Sequence, residues 1–174
     1  TWGDVNVYLL PFIRPADVRR YFPDADTDSY NSAYGTAIHA LGIDSSRRNV
    51  ILTHQFITGG VRSESETVSV GGTDAVDIAH LSQFDYAALG HLHRAQTCKT
   101  EERGGIVRYS GSPIAYSVSE ADDEKSVTVV TLCEKGNCTV DVRPLTPHRN
   151  IGRLRGAYDD AMALYKEIKG KVLD

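Results

Sequence analysis

The chain has 174 residues, 41% of them hydrophobic and 24% charged, the size and composition of about one globular domain with a sizeable core. Its net charge of −4 excludes a strongly basic coat for non-specific nucleic-acid binding, though not phosphate recognition concentrated at metals and a few local Arg or Lys side chains. No run of about 18 apolar residues and no charged-then-apolar leader occurs, so neither a membrane span nor a signal peptide is expected.

The chain opens at Thr1 and its only methionine is Met162, from which a piece cut from a longer protein is expected. Residues 5–12 (VNVYLLPF) read as a buried strand closed by Pro11 and Pro15. Pro15 suits the first turn of a short helix, ADVRRYF, which Pro23 stops. After the polar loop DADTDS, Tyr30, Ala33, Tyr34, Ala37, Ile38 and Leu41 recur at helical spacing and predict a core-facing helix that Gly42 ends. His39 lies off that stripe and is expected in solvent. Residues 49–53 (NVILT) read as a second buried strand, and it ends in His54. Thr58 to Thr73 carry no period and read as a long loop beside His54; loops of that length tend to be functional or mobile. Asp74 to Gln83 read as a short helix, with His80 a surface or packing residue. Tyr86 to Leu89 make a third apolar strand. Gly90 frees the backbone, and His91 and His93 follow two residues apart in what reads as extended chain. Period-two geometry would send both imidazoles to one face and Leu92 to the other.

Beyond Gln96 the pattern changes to hairpins. Residues 106–109, 114–118, 126–132 and 139–145 are short, β-branched and aromatic segments, separated by the turn signals GSP, EADDEK and EKGN. The acidic run EADDEK reads as a solvated turn. Pro144 to Arg149 (PLTPHR) form a connector, and Tyr158, Ala161, Met162 and Tyr165 predict a final helix whose apolar face Leu164 and Ile168 broaden. Cys98, Cys133 and Cys138 fit no zinc-finger spacing. Cys133 and Cys138 flank one turn and could face each other across a hairpin, but the odd count favours reduced thiols that pack.

The histidines carry the chemistry. A lone histidine at a strand end is ordinarily a capped or solvated residue. Gly-His-x-His at one strand end, with a second strand ending in Thr-His, instead suggests imidazoles converging on a transition metal, for which imidazole is a neutral ligand of intermediate affinity.

At these residues the chain also resembles a known family. ILTHQF (51–56), SVGGTDAVD (69–77), DYAALGHLHRAQ (85–96) and YSGSPIAYSVSE (109–120) together are similar to the SbcD-like, Mre-type nuclease subunits of the calcineurin-like metallophosphoesterase superfamily. Gly-His-x-His is shared by the whole superfamily, whereas the second and fourth segments point to the nuclease branch. The resemblance runs from about LPFIRP at Leu10 to LRGAYDD at Asp160. It implies an α/β fold, part of a two-sheet sandwich flanked by helices, with largely antiparallel strands after Gly105. Residues 1–146 would be the C-terminal half of the nuclease domain, and 147–174 a connector and the start of a small cap or DNA-binding domain.

The resemblance also implies two divalent metals, typically manganese, that hydrolyse DNA phosphodiesters. His54 and His91 match the two histidines on one metal and His93 the ligand of the other. Arg94, Ser110, Ser112 and Tyr116 become candidates for phosphate contacts, although SGSP makes a good turn for local reasons alone. Asp85 and Gln96 become candidates for orienting the imidazoles. The family's Asp-x-His and Gly-Asn-His are absent, and Gly3-Asp4 is a terminal pair without the expected partners. Three neutral imidazoles supply no anion to offset two dications, so at most one metal, such as zinc or nickel, is expected here and the isolated chain is expected to be inactive. An SbcC-like coiled-coil ATPase, DNA and a second copy of the chain are the implied partners, in the cytoplasm and away from membranes. Against these stand a metallophosphoesterase for small phosphodiesters or phosphoproteins, a three-histidine module of the cupin kind, and a scaffold or interaction piece. A cupin would want a glutamate where Thr97 or Cys98 stands.

Overall fold

The computed structural model of the chain describes residues 4–62, 74–98, 105–147 and 151–171. Its framework is a five-stranded sheet in the order β1-β2-β3-β5-β4. The strands are β1 (Val5–Leu10), β2 (Arg48–Thr53), β3 (Tyr86–Leu89), β4 (Gln96–Cys98) and β5 (Ile106–Tyr109). The first three and β5 run parallel, and β4 returns antiparallel along β5. Two further strands, β6 (Ser126–Leu132) and β7 (Cys138–Pro144), pair as an antiparallel hairpin. The expected mixed α/β class is what the chain forms.

Alternation along β2 shows why these residues make a strand with two different faces. Asn49, Ile51 and Thr53 are buried, whereas Leu52 is exposed. The buried face is covered by α2 (Tyr30–Ala40), against which α1 (Pro15–Arg19) packs. Ser29 caps α2 by accepting from the Ser32 N–H, and the Ser32 hydroxyl accepts from the Ser29 N–H in return. Gly42 closes the helix at φ 58°, a conformation that favours glycine. Tyr34 and Ile38 of α2 pack with Ile51, Ala87, Leu89, Val107 and Tyr109 of the sheet. Burial raises the Tyr34 phenol to about 12, although the Thr53 hydroxyl pulls the other way. The opposite face is open: Val7, Leu9 and Leu52 are exposed, and the register sets Leu9 beside Leu52.

Several expectations are corrected. Residues 114–118 form no strand; Ser117 accepts from the Ser119 N–H and caps a 3₁₀ turn at Val118–Glu120. β5 enters the parallel sheet beside β3 and so joins no simple hairpin meander, and β4 was not anticipated. The helix expected over 74–83 is reduced to a 3₁₀ turn at Ile78–Leu81. There His80 packs on α2, its Nε2 3.1 Å from the Asn31 side chain. Most of the long loop, 63–73, lies outside the described residues. Cys98, Cys133 and Cys138 are all free thiols, and Cys133 is exposed, so it is no packing residue. The last helix, α3 (Tyr158–Lys171), forms where expected. Among the described residues no helix is long and apolar enough to cross a membrane.

Candidate functional site

Four parallel strands end at one edge. Leu10 stands beside Thr53, Thr53 beside Leu89, and Leu89 beside Tyr109. The residues that leave these strands are therefore gathered by the register itself, at the carboxyl edge where ligands bind in open α/β sheets. The Gly90 N–H donates to the Thr53 carbonyl at 2.9 Å and the Ser110 N–H to the Leu89 carbonyl at 3.2 Å. His54 thus sits over the exit of β3, where a Cβ at position 90 would fall 2.6 Å from its Nδ1. Only glycine leaves room for the ring.

His54 is held between fixed neighbours. The buried Gln55 accepts from the Ile13 N–H at 3.4 Å and donates to the Ile13 carbonyl at 3.3 Å. The Tyr109 hydroxyl accepts from the Ile57 N–H at 2.7 Å and donates to the Gln55 carbonyl at 2.9 Å. His91 comes from the other side. Its backbone has φ 95°, in a region non-glycine residues seldom occupy and which costs on the order of 1–3 kcal/mol. The chain bends there, so the expected extended geometry is not found. The bend brings the His91 ring edge to face with His54, centroids 5.5 Å apart, between Phe12 and Phe56. Leu92 enters the core as expected.

The same bend sends His93 elsewhere. Its ring lies 5.4 Å from that of Tyr116, and its Nδ1 is 2.8 Å from Oε1 of Glu120. Glu120 has no exposed surface, and its Oε2 takes the Lys125 ammonium at 2.8 Å. Lys125 in turn donates to the Ser112 hydroxyl at 3.0 Å. The run EADDEK is therefore not a solvated turn: its first and last charges meet inside the protein. Sequence patterning missed Glu120, because a charge pair five residues apart in irregular chain has no periodic signature.

The remaining candidates divide. Ser110 is exposed at the strand edge, and with Leu9, Leu52, His54 and Gly90 it lines a shallow groove of about 440 Å³. Tyr116 is 64% exposed beside His93. Ser112 is buried and committed to Lys125 and to the Ile114 carbonyl at 2.8 Å. Arg94 is paired with Asp123 at 2.8 Å. Gln96 exchanges two hydrogen bonds with the Val61 backbone, at 2.7 and 2.8 Å. Asp85 lies at the far end of β3, where it accepts from the Asn49 N–H at 2.7 Å and from Lys135 at 2.9 Å, and also from the Gly136 N–H. Burial alone would raise its pKa, but these three donors outweigh it and hold the carboxyl below its usual range. Asp85 and Gln96 therefore spend their hydrogen bonds away from the imidazoles; the carboxylate in contact with a candidate histidine is Glu120, at His93.

The donor chemistry can be set against what metals need. Two imidazoles meeting at His54 and His91 suit one borderline ion such as zinc. Among the described residues, Glu120 is paired with Lys125 and Asp123 with Arg94. Among the described residues no three His, Cys, Asp or Glu side chains are grouped as a metal cluster.

Comparison with known proteins agrees with the resemblance. No family model matches the chain. It is 29% identical over 170 residues to the SbcD subunit of the SbcCD nuclease from Staphylococcus epidermidis, covering 96% of this chain and 44% of that protein. It is 30% identical over 174 residues to the SbcD subunit of the same nuclease from Staphylococcus saprophyticus, covering 98% of this chain and 45% of that protein. The SbcD likeness thus extends over nearly the whole chain, which spans less than half the length of these curated relatives.

Proposed function

We propose that the chain is the C-terminal, histidine-bearing part of an SbcD-type nuclease subunit that hydrolyses DNA phosphodiesters in repair and recombination. In its full length it would hold two divalent metals, manganese by preference, and work beside an SbcC-like coiled-coil ATPase in the cytoplasm. The observation that carries this reading is the His54–His91 pair, set by strand register at the carboxyl edge of a parallel sheet, in a chain similar to nuclease subunits from end to end.

His54 and His91 would share one metal and His93 would serve the other. Bound metals would supply Lewis-acid neutralisation of the phosphoryl oxygens. The chain's own residues would place the substrate. Ser110 offers an exposed hydroxyl at the strand edge, and Tyr116 offers an open ring and hydroxyl beside His93. Arg94, tied to Asp123, would brace the turn and contribute positive potential to phosphate binding. Among the described residues Glu120 and Asp123 are tied to Lys125 and Arg94, and three neutral imidazoles do not offset two dications, so the isolated chain would be inactive.

Full-length protein assayed with manganese on DNA hairpins and on small phosphodiesters tests the proposal. Cleavage of DNA, lost in His91→Ala, supports it. Preference for small esters would move the protein to another metallophosphoesterase branch. Manganese-dependent cleavage by the purified 174-residue chain, lost in His91→Ala, would overturn the stated inactivity.

A further inference from the structure

We infer that Glu120 is a positioning residue for His93, holding its imidazole in the Nδ1–H tautomer and leaving Nε2 unprotonated. The inference rests on the proposed role of His93 for its purpose, but not for its test.

Both carboxylate oxygens of Glu120 are engaged. Oε2 accepts from the Lys125 ammonium at 2.8 Å, from the Tyr116 N–H at 3.3 Å and from the Ser112 hydroxyl at 3.4 Å. Oε1 faces Nδ1 of His93 at 2.8 Å. A carboxylate so supplied with donors at one oxygen offers the other as an acceptor, and the proton between Oε1 and a neutral imidazole then belongs to Nδ1. A histidine whose Nδ1 is protonated presents Nε2 as its electron pair, the form needed to bind a metal or accept a proton.

The frame around this contact is rigid for physical reasons. Glu120 is fully buried and the Lys125 side chain is 4% exposed, so neither can turn to water without breaking a buried ion pair of 2.8 Å. The His93 carbonyl accepts from the Ser112 N–H at 2.9 Å, which ties the histidine's backbone to the turn that carries its partner. Gly111, at φ 78°, permits that approach; a Cβ there would fall 2.7 Å from the Ala95 N and 2.9 Å from the His93 carbonyl oxygen. Backbone and side chain of His93 are thus anchored to one segment, 111–125.

The test is heteronuclear NMR of the histidine rings in the metal-free 174-residue chain, at a pH where the imidazoles are neutral. The ¹⁵N shifts and ring couplings should show His93 as the Nδ1–H tautomer. Glu120→Gln should convert it to a mixture or to Nε2–H, while exposed His39 stays unchanged. If Glu120→Gln fails to fold, Glu120→Asp keeps the charge for Lys125 but shortens the reach to His93, and should shift the tautomer in the same direction. A wild-type His93 found as Nε2–H or as imidazolium overturns the inference, as does an unchanged tautomer in a folded variant. Failure of the nuclease reading would leave this spectrum as it is, so the two can fail separately.

Discussion

The rings of His54 and His91 meet edge to face, 5.5 Å between centroids, although 37 positions separate them in sequence (91 − 54). Two features create the meeting: strand register, which sets Thr53 beside Leu89, and a left-handed backbone at His91 that turns its side chain back toward β2. The pair is a product of backbone geometry, so it should be sensitive to backbone changes that leave both histidines in place.

Gly90→Ala is the sharpest such change. Its Cβ would meet Nδ1 of His54 at 2.6 Å, and the exposed His54 ring can relieve the clash by swinging outward. The variant is expected to fold with a small loss of stability, about 1–3 kcal/mol at most, and to bind zinc at least tenfold more weakly, one decade being about 1.4 kcal/mol. Thermal melts and calorimetry on the same sample check both halves.

Lys125→Met should be far more damaging than a surface lysine change. It removes one partner of a buried ion pair, which typically costs about 3–5 kcal/mol. Adding Glu120→Leu to the same chain should recover a good part of that loss. A urea midpoint for Lys125→Met equal to wild type would mean that the pair contributes nothing.

Asp85 sets an acid limit on the fold. Its carboxyl binds its proton less readily folded than unfolded, so its stabilisation is full above the unfolded value of about 3.9 and is lost as pH falls through the lower folded value. Asp85→Asn should therefore lower stability at neutral pH by about 2–3 kcal/mol and flatten the pH dependence in the acid range. Urea unfolding at a neutral and an acidic pH, compared between the two proteins, would reveal the difference.

Thiol chemistry offers a test of the hairpin. Cys133 is exposed, Cys98 is buried, and Cys138 donates from Sγ to the Asp85 carbonyl at 3.3 Å, with burial raising the pKa of the latter two. Maleimide should label Cys133 quickly, Cys138 slowly and Cys98 only on unfolding. Reducing agent should leave the melting temperature unchanged.

Strands β1 to β3 and the first long helix were legible because their signals are local: Asn49 to Thr53 form a short apolar run, and Tyr30 to Leu41 carry a helical stripe. β4 was missed because three residues, Gln96 to Cys98, are too few to show a period. Ile114 to Val118 look like a strand by composition, yet Ser112 and Ser117 spend their hydroxyls on nearby backbone and turn the chain instead. The metal-ligand candidates were visible as histidines at strand ends. Their division into His54–His91 and His93–Glu120 was not, since a single backbone angle at His91 decides it.

Calorimetric titration of the purified chain with zinc and, in parallel, manganese tests the central claim most directly, with His91→Ala as control. The account predicts one zinc bound, no manganese, and loss of the zinc heat in the variant. Binding of two manganese ions, zinc binding that His91→Ala leaves intact, or no binding of either metal would contradict it.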